Sequence, residues 1–228
     1  MTTPRKVRDV MTTDAVTVTR QTPFKDLAEL LSRRRISAAP VVDGHGLIVG
    51  IVSQGDLLPK EAYRDRVPTR REVLLHLEEI EKAGGTTAGD IMTTPVAVIG
   101  PHATLSEAAR LMARRHVRRL PVVDGREQLL GIISRSDLLK VFLVTDEQLT
   151  GTVLAELAEA LPSADTSRLV VTVTNGAVTI AGRLDDSSIV PALARIARAV
   201  DGVVDVDVVL EHPHPHRVGP PPDFRALY

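Results

Sequence analysis

The residues best suited to binding a small molecule belong to a repeated Ser-x-x-Asp pattern. The pattern occurs at Ser53 with Asp56 and again at Ser134 with Asp137. A Ser followed three residues later by an acid is typical of a helix N-terminus, where it satisfies the first unpaired backbone N–H groups. The same geometry suits a nucleotide, because a helix N-terminus attracts phosphate and a carboxylate accepts hydrogen bonds from a ribose diol. From the motif alone, helix capping and nucleotide binding both remain open.

Both motifs belong to an internal repeat. Residues 9–58 align with residues 90–139 without a gap, and 19 of these 50 positions are identical, which excludes chance. Apolar spacing and turn residues predict strand, helix, strand, strand and helix in each copy. A unit of this size is small for independent stability, so the two copies should pack as one pseudo-symmetric module. The insert between them is predicted to carry a helix from Arg70 to Ala83, stopped by Gly84 and Gly85.

The two copies differ in charge just before a shared Pro-Val-Val-Asp-Gly motif. The second copy has Arg118 and Arg119 there, whereas the first has Ser37 and Ala38. Charge-assisted contacts from Arg to phosphate are among the strong hydrogen bonds, at about 1.5–3 kcal/mol each. A solvated helix end that complements the helix dipole is the alternative interpretation of the arginine pair.

Three motifs, each present in both copies, make the pair resemble tandem cystathionine beta-synthase (CBS) domains, the Bateman module. They are Asp-(Val/Ile)-Met-Thr, Pro-Val-Val-Asp-Gly and Gly-x-x-Ser-x-x-Asp. The resemblance covers residues 5–145, with copy 1 at about 5–60, the insert at 59–89 and copy 2 at about 88–145. It implies an α/β (α+β) fold and a regulatory adenine nucleotide such as AMP, ADP or ATP bound between the copies. It also implies an Asp on the ribose, a Ser towards phosphate and no catalytic cofactor.

Mapped onto this sequence, the resemblance gives two clefts. The residues of cleft A are Asp137, Ser134, Ser136, Arg118, Arg119, Thr12, Val16, Ile36 and Ser37. The residues of cleft B are Asp56, Ser53, Thr93, Ala97 and Val117. Because cleft B lacks the arginine pair, we expect cleft A to hold a phosphorylated ligand and cleft B to be empty or to take an uncharged adenosyl compound.

The segment 149–211 has a different pattern, predicted as helix, strand, strand, helix and strand around an Asn175-Gly176 hairpin turn. It resembles the BON domain through residues 173–182 and 200–206. That resemblance implies attachment to a protein or to a phospholipid surface. The low number of cations in the segment favours an unknown protein partner over phospholipid. The tail, 212–228, is predicted to be flexible; its three alternating histidines could bind a metal, but no carboxylate cluster supports that, and no metal site is predicted.

Composition narrows the function classes. The 228 residues include no Cys, which excludes disulfides and thiolate metal sites. With only five aromatic residues, binding of single-stranded nucleic acid through aromatic stacking is nearly excluded. A net charge of −1 argues against a nucleic-acid partner. No apolar run is long enough for a membrane span, and no signal peptide is visible, so a cytoplasmic location is expected.

The sequence therefore predicts a non-catalytic sensor of an adenine nucleotide that forms a homodimer through the CBS pair. No P-loop, dinucleotide-binding glycine motif or nucleophile elbow supports an enzyme. The alternative is a structural adaptor, or a module binding protein or a membrane surface, whose clefts hold no ligand and whose Ser-x-x-Asp motifs only cap helices.

Overall fold

The first copy of the repeat contains two helices and a two-stranded antiparallel sheet. Its elements are helix α1 (Phe24–Arg33), strand β1 (Ala38–Val42), strand β2 (Ile48–Ser53) and helix α2 (Gln54–Ala62). Helix α1 buries Leu27 and Leu31, four residues apart on one face, against the sheet. These elements come from a computed structural model, which describes residues 5–162, 168–183 and 187–211.

The insert forms two helices, α3 (Arg70–Leu75) and α4 (Leu77–Gly84). The prediction of one continuous helix is wrong at His76, whose φ of −131° and ψ of 36° are not helical. The break lets α4 pack against α2 while α3 stays exposed. Hydrogen bonds from the Thr69 backbone N–H, the Arg66 guanidinium and the Thr69 hydroxyl lower the pKa of Glu72, in the first turn of α3, to about 2.

The second copy repeats the first in order and in register. A short helix, α5 (Ala88–Ile91), precedes helix α6 (Leu105–Arg114), strand β3 (Arg119–Val123), strand β4 (Leu129–Ser134) and helix α7 (Arg135–Leu139). In both sheets the proline of the Pro-Val-Val motif pairs with an isoleucine, Pro40 with Ile51 and Pro121 with Ile132. Both sheets also shift register at the same place, just before their last pair.

The first predicted strand of each copy is reduced to a single β-bridge. Val18 pairs with Val41 in copy 1, and Ile99 pairs with Val122 in copy 2, both in parallel orientation. The fold class is the predicted one, with mixed helices and small sheets.

The unit that begins at residue 139 is described separately from residues 5–138. It contains helix α8 (Asp146–Ala160), strands β5 (Leu169–Thr174) and β6 (Ala177–Arg183), helix α9 (Val190–Arg198) and strand β7 (Asp205–Glu211). Strand β6 is central, antiparallel to β5 and parallel to β7. The predicted order of elements is confirmed. The Asp146 carboxylate accepts hydrogen bonds from the backbone N–H groups of Asn175 and Gly176, at 2.7 and 2.9 Å, and so fixes the hairpin turn.

The tail predicted to be flexible, 212–228, lies outside the described residues.

Candidate functional site

The segment that leads into each copy pairs with the last strand of the other copy. The backbone groups of Thr12 and Ile132 exchange two hydrogen bonds of 2.9 Å. At the equivalent place, Thr93 and Ile51 exchange bonds of 2.9 and 3.2 Å. Each crossing therefore brings a threonine of one copy beside the Ser-x-x-Asp motif of the other.

Two glycines at equivalent positions allow these crossings. A Cβ atom added to Gly131 would lie 2.5 Å from the Thr12 carbonyl oxygen. A Cβ atom added to Gly50 would overlap the Met92 side chain. Close approach of the backbone explains the glycine at position 131, where the neighbour is a backbone oxygen, whereas the neighbour of Gly50 is the Met92 side chain.

Both Ser-x-x-Asp motifs form the capping arrangement that their spacing predicts. The backbone N–H and the hydroxyl of Ser53 donate to Asp56 Oδ2 at 2.7 and 2.6 Å. The same groups of Ser134 donate to Asp137 Oδ2 at 2.9 and 2.6 Å. Both aspartates are at most 9% exposed. Each serine hydroxyl thus donates to its own aspartate, and in both motifs the capping bonds converge on one carboxylate oxygen.

In cleft A, the structure brings Arg119 to Ser37 across the two copies, because Arg119 Nε donates to Ser37 Oγ at 2.8 Å. Arg119 is also the register partner of Ser134 between strands β3 and β4, so both residues lie at the same end of this sheet. Arg118 is exposed, and its carbonyl accepts the Arg135 backbone N–H at 3.1 Å. The other predicted residues of cleft A are half-buried at Val16 and Ile36 and exposed at Thr12 and Ser136.

Cleft B is arranged differently around its aspartate. The Thr93 hydroxyl donates to Asp56 Oδ1 at 3.2 Å, so these two predicted residues lie together. Lys82 Nζ also donates to Asp56 Oδ1, at 2.5 Å, and to the Thr93 hydroxyl at 3.0 Å. Ala38, buried and opposite Ser53, stands where cleft A has Arg119. Ala97 and Val117 are half-buried.

Lys82 is the residue of this site that the sequence analysis missed. It lies on α4 of the insert, outside the repeated positions 9–58 and 90–139. The available signal was that Lys82 is the only lysine of the predicted helix at 70–83 and comes just before the Gly84-Gly85 turn into copy 2.

The family comparisons agree with these repeated motifs. The CBS domain family matches residues 7–62 and 88–144, and the BON domain family matches residues 145–211. The chain is a CBS-domain protein that also carries a BON domain. The described secondary structure of residues 145–211 thus belongs to the BON domain, and the two clefts belong to the CBS pair.

Several relatives share the CBS pair. The chain is 30% identical to the CBS domain-containing protein YhcV of Bacillus subtilis over 132 residues. This match covers 58% of this chain and 81% of YhcV. It is 32% identical over 133 residues to the chloroplastic CBS domain-containing protein CBSX2 of Arabidopsis thaliana, or 54% of this chain and 56% of CBSX2. The chain thus spans little more than half the length of CBSX2.

A solved structure of CBSX2 carries a ligand. The crystal structure of CBSX2 in complex with AMP is 33% identical to this chain, with a TM-score of 0.54 over 60% of this chain and 96% of the CBSX2 chain. The CBS pair of this relative therefore binds an adenosine nucleotide.

Among residues 5–162, 168–183 and 187–211, no helix is long and apolar enough to cross a lipid bilayer. The same ranges contain no cluster of three or more His, Asp or Glu residues arranged to hold a metal ion. The tail histidines, His212, His214 and His216, lie outside them.

Proposed function

We propose that the CBS pair is a non-catalytic regulatory sensor that binds one phosphorylated adenosine nucleotide, AMP, ADP or ATP, in cleft A. The observation that carries the proposal is the contact of Arg119 with Ser37. This hydrogen bond joins a guanidinium of copy 2 to a serine of copy 1, and Arg119 is the strand-register partner of Ser134. The AMP complex of CBSX2 supports the same ligand class.

The charge at this junction favours a phosphate over an uncharged ligand. Arg119 is half-buried, and a partly desolvated guanidinium forms stronger contacts with phosphate than one in bulk water. Arg118 adds a second, exposed cation on the adjacent residue. We therefore expect AMP to bind more tightly than adenosine and its affinity to fall as salt rises.

Isothermal titration of AMP into the full chain tests the proposal. Replacing Arg119 by Ala removes one charge-assisted contact of about 1.5–3 kcal/mol, so the Kd should rise roughly 10- to 150-fold. Arg115→Ala is the matched control, because it removes an exposed cation from the same copy at the end of α6. Equal affinities of the two variants would refute a phosphate role for Arg119.

The second candidate function is the adaptor, in which the Ser-x-x-Asp motifs serve only as caps. The capping bonds of Ser53 and Ser134 are the observation that favours it. A thermal-shift series with AMP, ADP, ATP and S-adenosylmethionine separates the two functions. A rise in Tm with any of the three nucleotides supports the sensor, and no shift with any compound supports the adaptor.

The BON domain is proposed as the module that contacts a partner protein. Residues 149–211 contain nine acidic residues and four arginines, so an anionic lipid surface would be repelled rather than attracted. Flotation of the full chain with vesicles containing phosphatidylserine tests this point, and co-flotation would favour the lipid alternative. Homodimerisation through the CBS pair belongs to the same proposal, and light scattering measures it.

A further inference from the structure

The Asp56 carboxylate in cleft B already has a full set of hydrogen-bond donors. Ser53 supplies two of them to Oδ2, its backbone N–H and its hydroxyl. Lys82 Nζ and the Thr93 hydroxyl supply two more to Oδ1. An ionised carboxylate offers about four lone-pair positions, so a ribose diol would find no acceptor left at Asp56.

The structure holds Lys82 firmly in this position. Its side chain is 18% exposed and that of Asp56 is 10% exposed, so the ion pair is largely shielded from water. A second lysine, Lys60 on α2, donates to the carbonyl oxygen of Ala83 at 3.1 Å and ties the end of α4 to copy 1. The packing of α4 against α2 adds to this anchoring. The Lys82 ammonium group thus projects from a helix whose C-terminal end is itself held by Lys60.

We propose that Lys82 is a tethered occupant of cleft B, which takes the place of the ribose and closes this cleft to adenosine compounds. The inference deepens the proposed function and rests on it for the ligand class. A group attached to the same chain competes at a high effective concentration, so a free ligand must displace a competitor that never diffuses away. The two clefts then differ in two respects: cleft A has the arginine pair, and cleft B contains a side chain of the insert.

The test is equilibrium dialysis of the full chain with radiolabelled adenosine, an uncharged probe suited to a cleft without arginines. Lys82→Met keeps the apolar stem and removes the ammonium group. We expect it to bind one more adenosine per chain than the wild type. Lys60→Met is the matched control, because it loosens the end of α4 without removing a donor from Asp56, and it should gain much less adenosine binding than Lys82→Met. Adding Asp56→Asn to Lys82→Met should abolish the gain.

No additional binding in Lys82→Met would overturn the inference, as would an equal gain in Lys60→Met. Lys82→Gln serves as a second opening variant if Lys82→Met fails to fold, as judged by circular dichroism. A separate arm with AMP and the wild-type chain tests cleft A alone. If the wild type binds no AMP but Lys82→Met gains adenosine, the proposed function of cleft A fails while the inference stands. If the wild type binds AMP but Lys82→Met gains no adenosine, the inference about Lys82 fails while the proposed function of cleft A stands.

Discussion

Replacing Gly131 by Ala is expected to disturb the crossing that forms cleft A. The new Cβ atom would lie 2.5 Å from the Thr12 carbonyl oxygen, a backbone atom, and 3.3 Å from Met11 Sδ. Because the optimal van der Waals separation is about 3.5 Å, the Thr12 backbone must shift away by about 1 Å. Both hydrogen bonds between Thr12 and Ile132 then weaken or break.

The expected cost follows from those two bonds. At about 0.5–1.5 kcal/mol each, their loss lowers the free energy of unfolding by about 1–3 kcal/mol, or the Tm by roughly 2–12 °C. Differential scanning fluorimetry measures the change. Gly125→Ala is the control, because its Cβ atom would meet no atom within 4 Å. Gly50→Ala should fall between the two, since the Met92 side chain can rotate away.

A Tm of Gly131→Ala within 1 °C of that of Gly125→Ala would refute this account of the repeated glycine. A loss of stability without a loss of AMP affinity would show that the crossing supports the fold but not cleft A. Titration of AMP into Gly131→Ala at a temperature well below its Tm distinguishes these results.

Three further changes test other parts of the molecule. The pKa of Glu72 is lowered to about 2 in the folded protein, so its stabilisation of α3 is fully present above pH 4.5 and is lost as the pH falls towards 2. Titration of its carboxyl group by NMR should give a midpoint near 2, and a midpoint near 4.5 would contradict the cap. Leu27→Ala, at a fully buried position, should cost about 2–5 kcal/mol in urea unfolding, whereas Leu74→Ala at an exposed one should change stability by less than about 0.5 kcal/mol. Asp146→Ala should cost about 1–3 kcal/mol and speed hydrogen exchange at residues 175–176; unchanged exchange would show that the turn holds by itself.

Much of the CBS pair was predictable because the repeat supplies its own internal check. Once residues 9–58 are aligned with 90–139, any feature seen in one copy is expected in the other, including the Ser-x-x-Asp caps. The order of elements in the BON domain followed similarly from the Asn175-Gly176 turn and the alternating strands. Local patterns of this kind depend on neighbours a few residues apart.

The features that escaped prediction depend on distant partners. Lys82 reaches Asp56 from a helix that begins after the break at His76, and the residue type at position 76 does not predict the break. Apolar spacing predicts a first strand in each copy, but pairing there is limited to a single bridge. The Lys82 contact and the single bridges both depend on pairing between segments far apart in the sequence, and a local pattern carries no information about such pairing.

The crossed leading segments have a consequence for how the protein is synthesised. Thr12 emerges from the ribosome early, yet its pairing partner, Ile132, follows 120 residues later. The core of copy 1 likewise incorporates Ile91 and Met92, which belong to the second copy. The first repeat is therefore incomplete when its own last residue has been translated, because part of its core and the pairing partner of Thr12 belong to the second repeat. The pairing of Thr12 with Ile132 is thus a contact of high sequence separation, which becomes available only when nearly all of the CBS pair has been translated.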